Sequence, residues 1–186
     1  MGIAPAADWE HDLASVLLTE EQIQARVAEM AAELADEYRD KHPLLIGVLK
    51  GSIVFLSDLM RRLCFPLEID LVCCSSYGHS SESSGEVRLR LDLSKELAGR
   101  HVLLVEDIVD TGLTLSRLCD LLRERQPASL KVCCLLSKPS RREVDMQPDY
   151  VGFEIPDEFV VGYGLDYAER YRWLPHVAVV KPEAYR

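Results

Sequence analysis

Neither of the two common glycine signatures for nucleotide phosphates occurs in this chain. There is no G-x-x-x-x-G-K-[S/T] loop and no G-x-G-x-x-G, and Gly162-Tyr163-Gly164 is an isolated glycine pair. A P-loop hydrolase and a dinucleotide-binding fold are thereby disfavoured. Metal-finger spacing is missing too: the cysteines at 64, 73, 74, 119, 133 and 134 include no C-x-x-C and no Cys/His framework. They read as reduced, buried thiols. No apolar run approaches the ~20 residues of a membrane-spanning helix. The opening MGIAPAADWEHDL lacks a basic n-region and an apolar h-region, and Ala6 breaks the Met-Gly-x-x-x-Ser/Thr acylation pattern. A cytoplasmic protein with no membrane partner is therefore expected. Positive charge is in deficit, with 21 Lys and Arg against 31 Asp and Glu and a formal charge of −10. That is the wrong sign for gripping a nucleic-acid backbone. No nucleic-acid partner is expected, and any bound polyanion must be small, local and escorted by metal. Internal repeats and Pro/Gly/Ser-rich linkers are also missing, so the 186 residues read as a single domain.

What is present alternates between strands and helices. Thr19 with Gln22 forms a capping-box pattern, and Ile23, Val27, Met30 and Leu34 recur at helical spacing, predicting an amphipathic helix to about Tyr38. LLIGVL (44–49) is a short apolar strand, broken at Lys50-Gly51-Ser52. Phe55, Leu56, Leu59, Met60 and Leu63 then mark a second helix. PLEIDLVCC (66–74), VRLRLDL (87–93), HVLLV (101–105) and LKVCCLL (130–136) read as strands, with a helix face traced by Leu115, Leu118, Cys119 and Leu122. The pattern predicts an α/β fold, a mainly parallel sheet covered by helices on both faces, with ligands beyond the carboxyl ends of its strands. The aromatic tail from Tyr150 onward reads in part as a small flap over that crevice.

The stretch VLLVEDIVDTGLTL (102–115) carries the chemistry. Glu106 and Asp107 fall where an apolar strand ends, and Asp110, Thr111, Gly112, Leu113 and Thr114 form a turn into a helix. Free amides at a helix start make a seat for phosphate, Gly112 permits close backbone approach, and the threonine hydroxyls donate. Carboxylates beside such a seat are compensated if they face sugar hydroxyls and a hard cation, because both seek oxygen acceptors. Ribose and magnesium are the expected pair.

With these residues in view, the chain resembles the 6-oxopurine (hypoxanthine-guanine) phosphoribosyltransferases of the type I phosphoribosyltransferase fold. VEDIVDTGLTL is similar to their phosphoribosyl-pyrophosphate motif. GVLKGS (47–52), SSYG (75–78) and VGFEIPDEFVVGYGLDYAERYR (151–172) follow in the family's order, so the likeness spans roughly residues 12 to 180. It implies a core of about 38–150 with a mobile loop at 75–86, and a hood formed mainly by 150–186 with the N-terminal segment.

The resemblance also implies a reaction, in which phosphoribosyl pyrophosphate and a 6-oxopurine base give a nucleoside monophosphate and pyrophosphate. By that likeness Glu106 and Asp107 hold the ribose hydroxyls and a magnesium ion, and 110–114 cradle the 5-phosphate. Asp110 also faces N7 of the base; a carboxylate ionised at neutral pH is ready to take the purine proton. Lys138 reads the base: an ammonium has only donors, which suits a carbonyl O6 and not an amino group. Phe159 stacks on the base, the Val160 backbone pairs with its edge, and Asp166 sits beside it holding a second magnesium. Lys50, Gly51 and Arg172 bind pyrophosphate, with a cis Leu49–Lys50 peptide expected, and Ser76 and Tyr77 belong to a lid. Where relatives often carry a basic residue after the motif glycine, this chain has Leu113. A homodimer or homotetramer is typical of the family. A xanthine-preferring sibling and a non-catalytic nucleotide-sensing regulator are the alternatives within the fold.

Overall fold

The computed structural model describes residues 9–76 and 87–185. Helix α1, Glu20–Tyr38, starts at the capping box read from the sequence: Thr19 N donates to Gln22 Oε1 at 2.8 Å and Gln22 N to Thr19 Oγ1 at 3.3 Å. Its stripe of Ile23, Val27, Met30 and Leu34 is fully buried. Strand β2, Leu44–Val48, is buried along its whole length, and helix α2, Ile53–Leu63, buries Phe55, Leu56, Leu59 and Leu63. Strands β3 (Glu68–Ser76), β4 (Val87–Leu91), β5 (His101–Val109), β6 (Ser129–Ser137) and β7 (Tyr150–Glu154) complete one sheet, and helix α3, Leu113–Arg123, follows β5.

The sheet order is β4-β3-β2-β5-β6-β7, parallel except for the β3–β4 pair at one edge. The α1 and α2 side chains pack on one face with Leu103 and Val105 of β5. Those of α3 pack on the other with Val102 and Leu104. Period-two alternation along β5 thus divides the core into two layers. The mainly parallel α/β fold expected from the sequence is the one found.

Three more strands make a separate small sheet. Strand β1 (Leu13–Leu18), β9 (Val177–Val180) and β8 (Val160–Val161) pair antiparallel in the order β1-β9-β8. We call this small sheet, built from segments near both chain ends, the hood. One boundary differs from the sequence reading. Residues 150–154, grouped with the hood, form the outer strand of the main sheet, because Val151 and Phe153 run parallel to Cys134 and Leu136. Strand β1 is nearly all exposed or half-exposed, so no apolar alternation announced it.

All six cysteines are free, and Cys119, Cys133 and Cys134 are buried. Burial pushes the Cys119 thiol up to about 11 and the Cys134 thiol up to about 12, so both stay protonated and unreactive at neutral pH. Among the described residues no helix is long and apolar enough to cross a membrane.

Candidate active site

The alternation along β5 continues past its apolar run. Glu106 falls on the α3 side and lines a cavity of ≈ 270 Å³ whose far wall is Asp110, Thr111, Gly112 and Thr114. Asp107 falls on the opposite side, where its carboxylate meets Gly51. A Cβ on Gly51 would lie 1.6 Å from Asp107 Oδ2, so only glycine allows the two loops to touch. The two residues leave the strand on opposite faces, but at its end their carboxyls come close enough to interact. Burial first, and the neighbouring Asp107 charge second, raise the Glu106 carboxyl well above the usual carboxylate range. Burial also raises Asp107, opposed in part by hydrogen bonding with the Glu106 carboxyl, then by the 2.9 Å contact from Ile108 N and by the Arg172 charge.

The turn after β5 is shaped by Gly112, whose φ of 83° is left-handed and whose Cβ position is crowded by Val144 and Met146 at 3.2 Å. Helix α3 begins at the next residue. Leu113 is 43% exposed and does not line the cavity, so the turn presents backbone, Thr111 and Thr114 to the cavity. Positive charge reaches the turn from the segment after β6. Arg142 donates from Nη1 to the carbonyls of Val109 (2.7 Å) and Asp110, and from Nη2 to Ser137 Oγ at 2.8 Å. Arg141 Nε lies 3.1 Å from Asp110 Oδ1. Neither arginine was singled out from the sequence; the Arg-Arg pair three residues after Lys138 was the only signal.

Lys138 is 6% exposed, and its ammonium has Asp157 Oδ1 at 4.0 Å. A buried cation with one distant partner is open to a further acceptor. Phe159 and Val160 lie where β8 begins. The bond from Val180 N to Phe159 O, 2.8 Å, flanks the Val160–Val179 pair. Val160's own N–H and C=O therefore point to the open side of this edge strand. Phe159 is 37% exposed.

A third group forms around Arg172. Its Nη2 lies 2.7 Å from Asp166 Oδ1 and 3.5 Å from Glu169 Oε2, and its Nη1 donates to Gly164 O at 2.8 Å. Its Nε is buried without a partner among the described residues. Lys50 Nζ contacts Glu169 Oε1 at 2.9 Å, and the Leu49–Lys50 peptide is cis, as anticipated. Gly164 packs so closely on Gly51 that a Cβ there would lie 2.1 Å from Gly51 O. Lys50, Gly51 and Arg172 are thus joined, and Asp107 borders them.

Asp166 is engaged through both oxygens, by Arg172 and by the Glu169 amide at 2.8 Å. Among the described residues no three His, Cys, Asp or Glu side chains gather as an ion-binding group. Of the 75–86 stretch expected to be a mobile lid, Ser75 and Ser76 instead end β3, paired in register with Arg88 and Val87 of β4, and Tyr77 with the remainder lies outside the described residues.

A parallel sheet whose strand end offers acid, turn and helix start beneath a small hood has the character of a sugar-phosphate transferase. A model of the phosphoribosyl transferase domain matches residues 15–168, and the chain belongs to that family. It is 53% identical to the hypoxanthine-guanine phosphoribosyltransferase of Bacillus subtilis (strain 168), over 95% of this chain and 98% of that one. It is 50% identical to the enzyme of the same name from Mycobacterium avium, over 98% and 93%. The solved hypoxanthine phosphoribosyltransferase of Staphylococcus aureus superposes with a TM-score of 0.93 at 46% identity, covering 97% and 98% of the two chains.

Proposed function

We propose that this protein transfers the 5-phosphoribosyl group of phosphoribosyl pyrophosphate to hypoxanthine or guanine, giving IMP or GMP and pyrophosphate. The observation that carries the reading is the cavity between β5 and α3, with the half-buried Glu106 on one wall and an amide-rich turn on the other. Relatives of about half identity bear the name of that activity.

The residues divide the work by chemistry. The backbone of Asp110 to Thr114, with the two threonine hydroxyls, takes the 5-phosphate at the start of α3. Glu106 and Asp107 accept from the ribose hydroxyls. Asp110 is held at Oδ1 by Arg141; Oδ2 takes the N7 proton as N9 attacks the anomeric carbon and the bond to pyrophosphate breaks. The nearby acids stabilise the oxocarbenium-like charge that develops on the sugar. Lys138 donates to O6, and the outward amide and carbonyl of Val160 read the adjacent base edge. A site built to donate there leaves adenine's amino group unpaired, which gives discrimination on the order of 10⁴. Lys50, the Gly51 amide and the fork of Arg172 receive pyrophosphate.

The donor set suits magnesium. A half-buried and a buried carboxylate, both with raised pKa values, are short of positive charge, and magnesium is held by one or two carboxylates together with substrate oxygens. Glu106 and Asp107 would hold it, and when bound it supplies charge neutralisation for the leaving pyrophosphate. Asp166, the third residue of the set, must first release Arg172. The reading includes a cytoplasmic location and a homodimer or homotetramer.

Incorporation of labelled hypoxanthine, guanine, xanthine and adenine, with and without magnesium, tests the proposal. Turnover of hypoxanthine and guanine that needs the metal is expected. Turnover confined to adenine, or none with any base, would refute it.

A further inference from the structure

The helical turn Pro182–Tyr185, α4, ends the described chain and has no part in the chemistry above. We propose that Tyr185 on this turn is a positioning residue for the purine: it backs the face of Phe159 opposite the one that stacks on the base, and so sets affinity for the base without touching it. The proposal rests on the functional reading just given.

Phe159 belongs to neither of the two large core clusters. It follows an exposed stretch, Pro156–Glu158, and is itself more than one-third exposed. A ring so placed is free to turn, and ordering it when the base arrives would cost affinity. Two tyrosines fill that role beforehand. The Tyr185 ring stacks on Phe159, with centroids 4.6 Å apart and planes inclined by 28°. Tyr167 meets it edge-on at 5.6 Å and 89°. One face and one edge are thus covered, and the other face is left for a planar ligand.

Tyr185 is anchored well enough to act as a backing plate. Its turn closes with Ala184 N on Lys181 O at 2.9 Å, and Lys181 N bonds Asp12 O at 2.8 Å, fastening the turn to the start of the hood. Its ring packs against the small cluster of Val161, Tyr171, Leu174 and Val180. The strand leading into the turn also holds the Phe159 carbonyl, through Val180 N. One C-terminal segment therefore supports both the backbone and the ring at the base-reading position. Among the described residues the Tyr185 hydroxyl makes no hydrogen bond, so the ring alone matters and phenylalanine should replace it.

Steady-state kinetics on wild type, Tyr185→Ala and Tyr185→Phe, with hypoxanthine and phosphoribosyl pyrophosphate varied in turn and melting temperatures recorded, test this. Tyr185→Ala should raise KM for hypoxanthine about fivefold, the factor matching an aromatic pair of ordinary strength. The kcat and the KM for the phosphoribosyl donor should stay unchanged, and Tyr185→Phe should match wild type. An unmoved KM for the base overturns the proposal. A lowered one also overturns it, since Tyr185 would then occupy the face the base needs. A parallel rise in both KM values with a lower melting temperature overturns it in favour of general support of the hood. Wild-type protein inactive with every purine refutes the functional reading, and this proposal falls with it.

Discussion

Two side chains divide the work on the base, and each is tested by its own substitution. Asp110 is about two-fifths exposed and touches Arg141 through one oxygen only. Asp110→Ala should lower turnover by about 10²-fold with little change in stability, because general-base assistance is of that size and the side chain is not buried. Single-turnover rates would check it, and wild-type turnover would remove the carboxylate from the mechanism. Lys138 is the opposite case, buried with only a distant partner among the described residues. Lys138→Gln supplies an acceptor as well as a donor, so the ratio of kcat/KM for hypoxanthine over adenine should fall by at least about tenfold. A competition assay between the two bases measures it, and an unaltered ratio would sink the assignment. Asp110 was legible because it lies in a motif whose strand-turn-helix context is local. Arg141 and Arg142 were not, because they reach the turn only when β6 is laid beside β5.

The turn between β2 and α2 shows how elements constrain one another. Gly51 has Asp107 of β5 on one side and Gly164 of the hood on the other, so three separate parts of the chain meet where one side chain would not fit. Gly51→Ala should push the Asp107 carboxylate aside and misplace the turn. Displacements near 1 Å cost about 10²-fold in rate, so activity should collapse while far-ultraviolet circular dichroism and the melting transition persist. Near-normal kcat/KM would show that the contact is not functional. The sequence marked Lys50-Gly51 as a strand break but gave no hint of what the glycine faces. Alternation along β5 is a related case: period two starts Glu106 and Asp107 on opposite faces, and the folded strand end brings their carboxyls back within reach of each other.

Hood and core are tied together by Asp58. Its carboxylate accepts from Gln24 of α1 at 2.8 Å, from Tyr163 of the hood at 2.6 Å, and from Arg61 on its own helix. Burial opposes ionisation, but the hydrogen bonds from Tyr163, Gln24 and Arg61 outweigh it and hold the Asp58 carboxyl below its ordinary value. A depressed folded-state pKa contributes stability that is present above the unfolded value, about 4, and is lost as pH falls through the folded one. Asp58→Asn should cost about 1–3 kcal/mol at neutral pH and flatten the acid side of the stability profile. Denaturant unfolding across that range would measure both effects; a variant whose acid profile parallels wild type would show that this carboxylate is not responsible.

Some of this molecule was written locally. The capping box of α1, the apolar runs of β2 and β5 and the turn chemistry of 110–114 depend on neighbours a few residues apart, where backbone geometry and side-chain periodicity act directly, so sequence alone determined them. Tertiary structure alone decided the meeting of Gly51 with Asp107, the arginines that reach the phosphate turn, the joining of both chain ends into the hood, and the tyrosine behind Phe159. Each brings together residues from distant parts of the chain, and such contacts exist only once burial of the two core layers has fixed where the sheet's strands end.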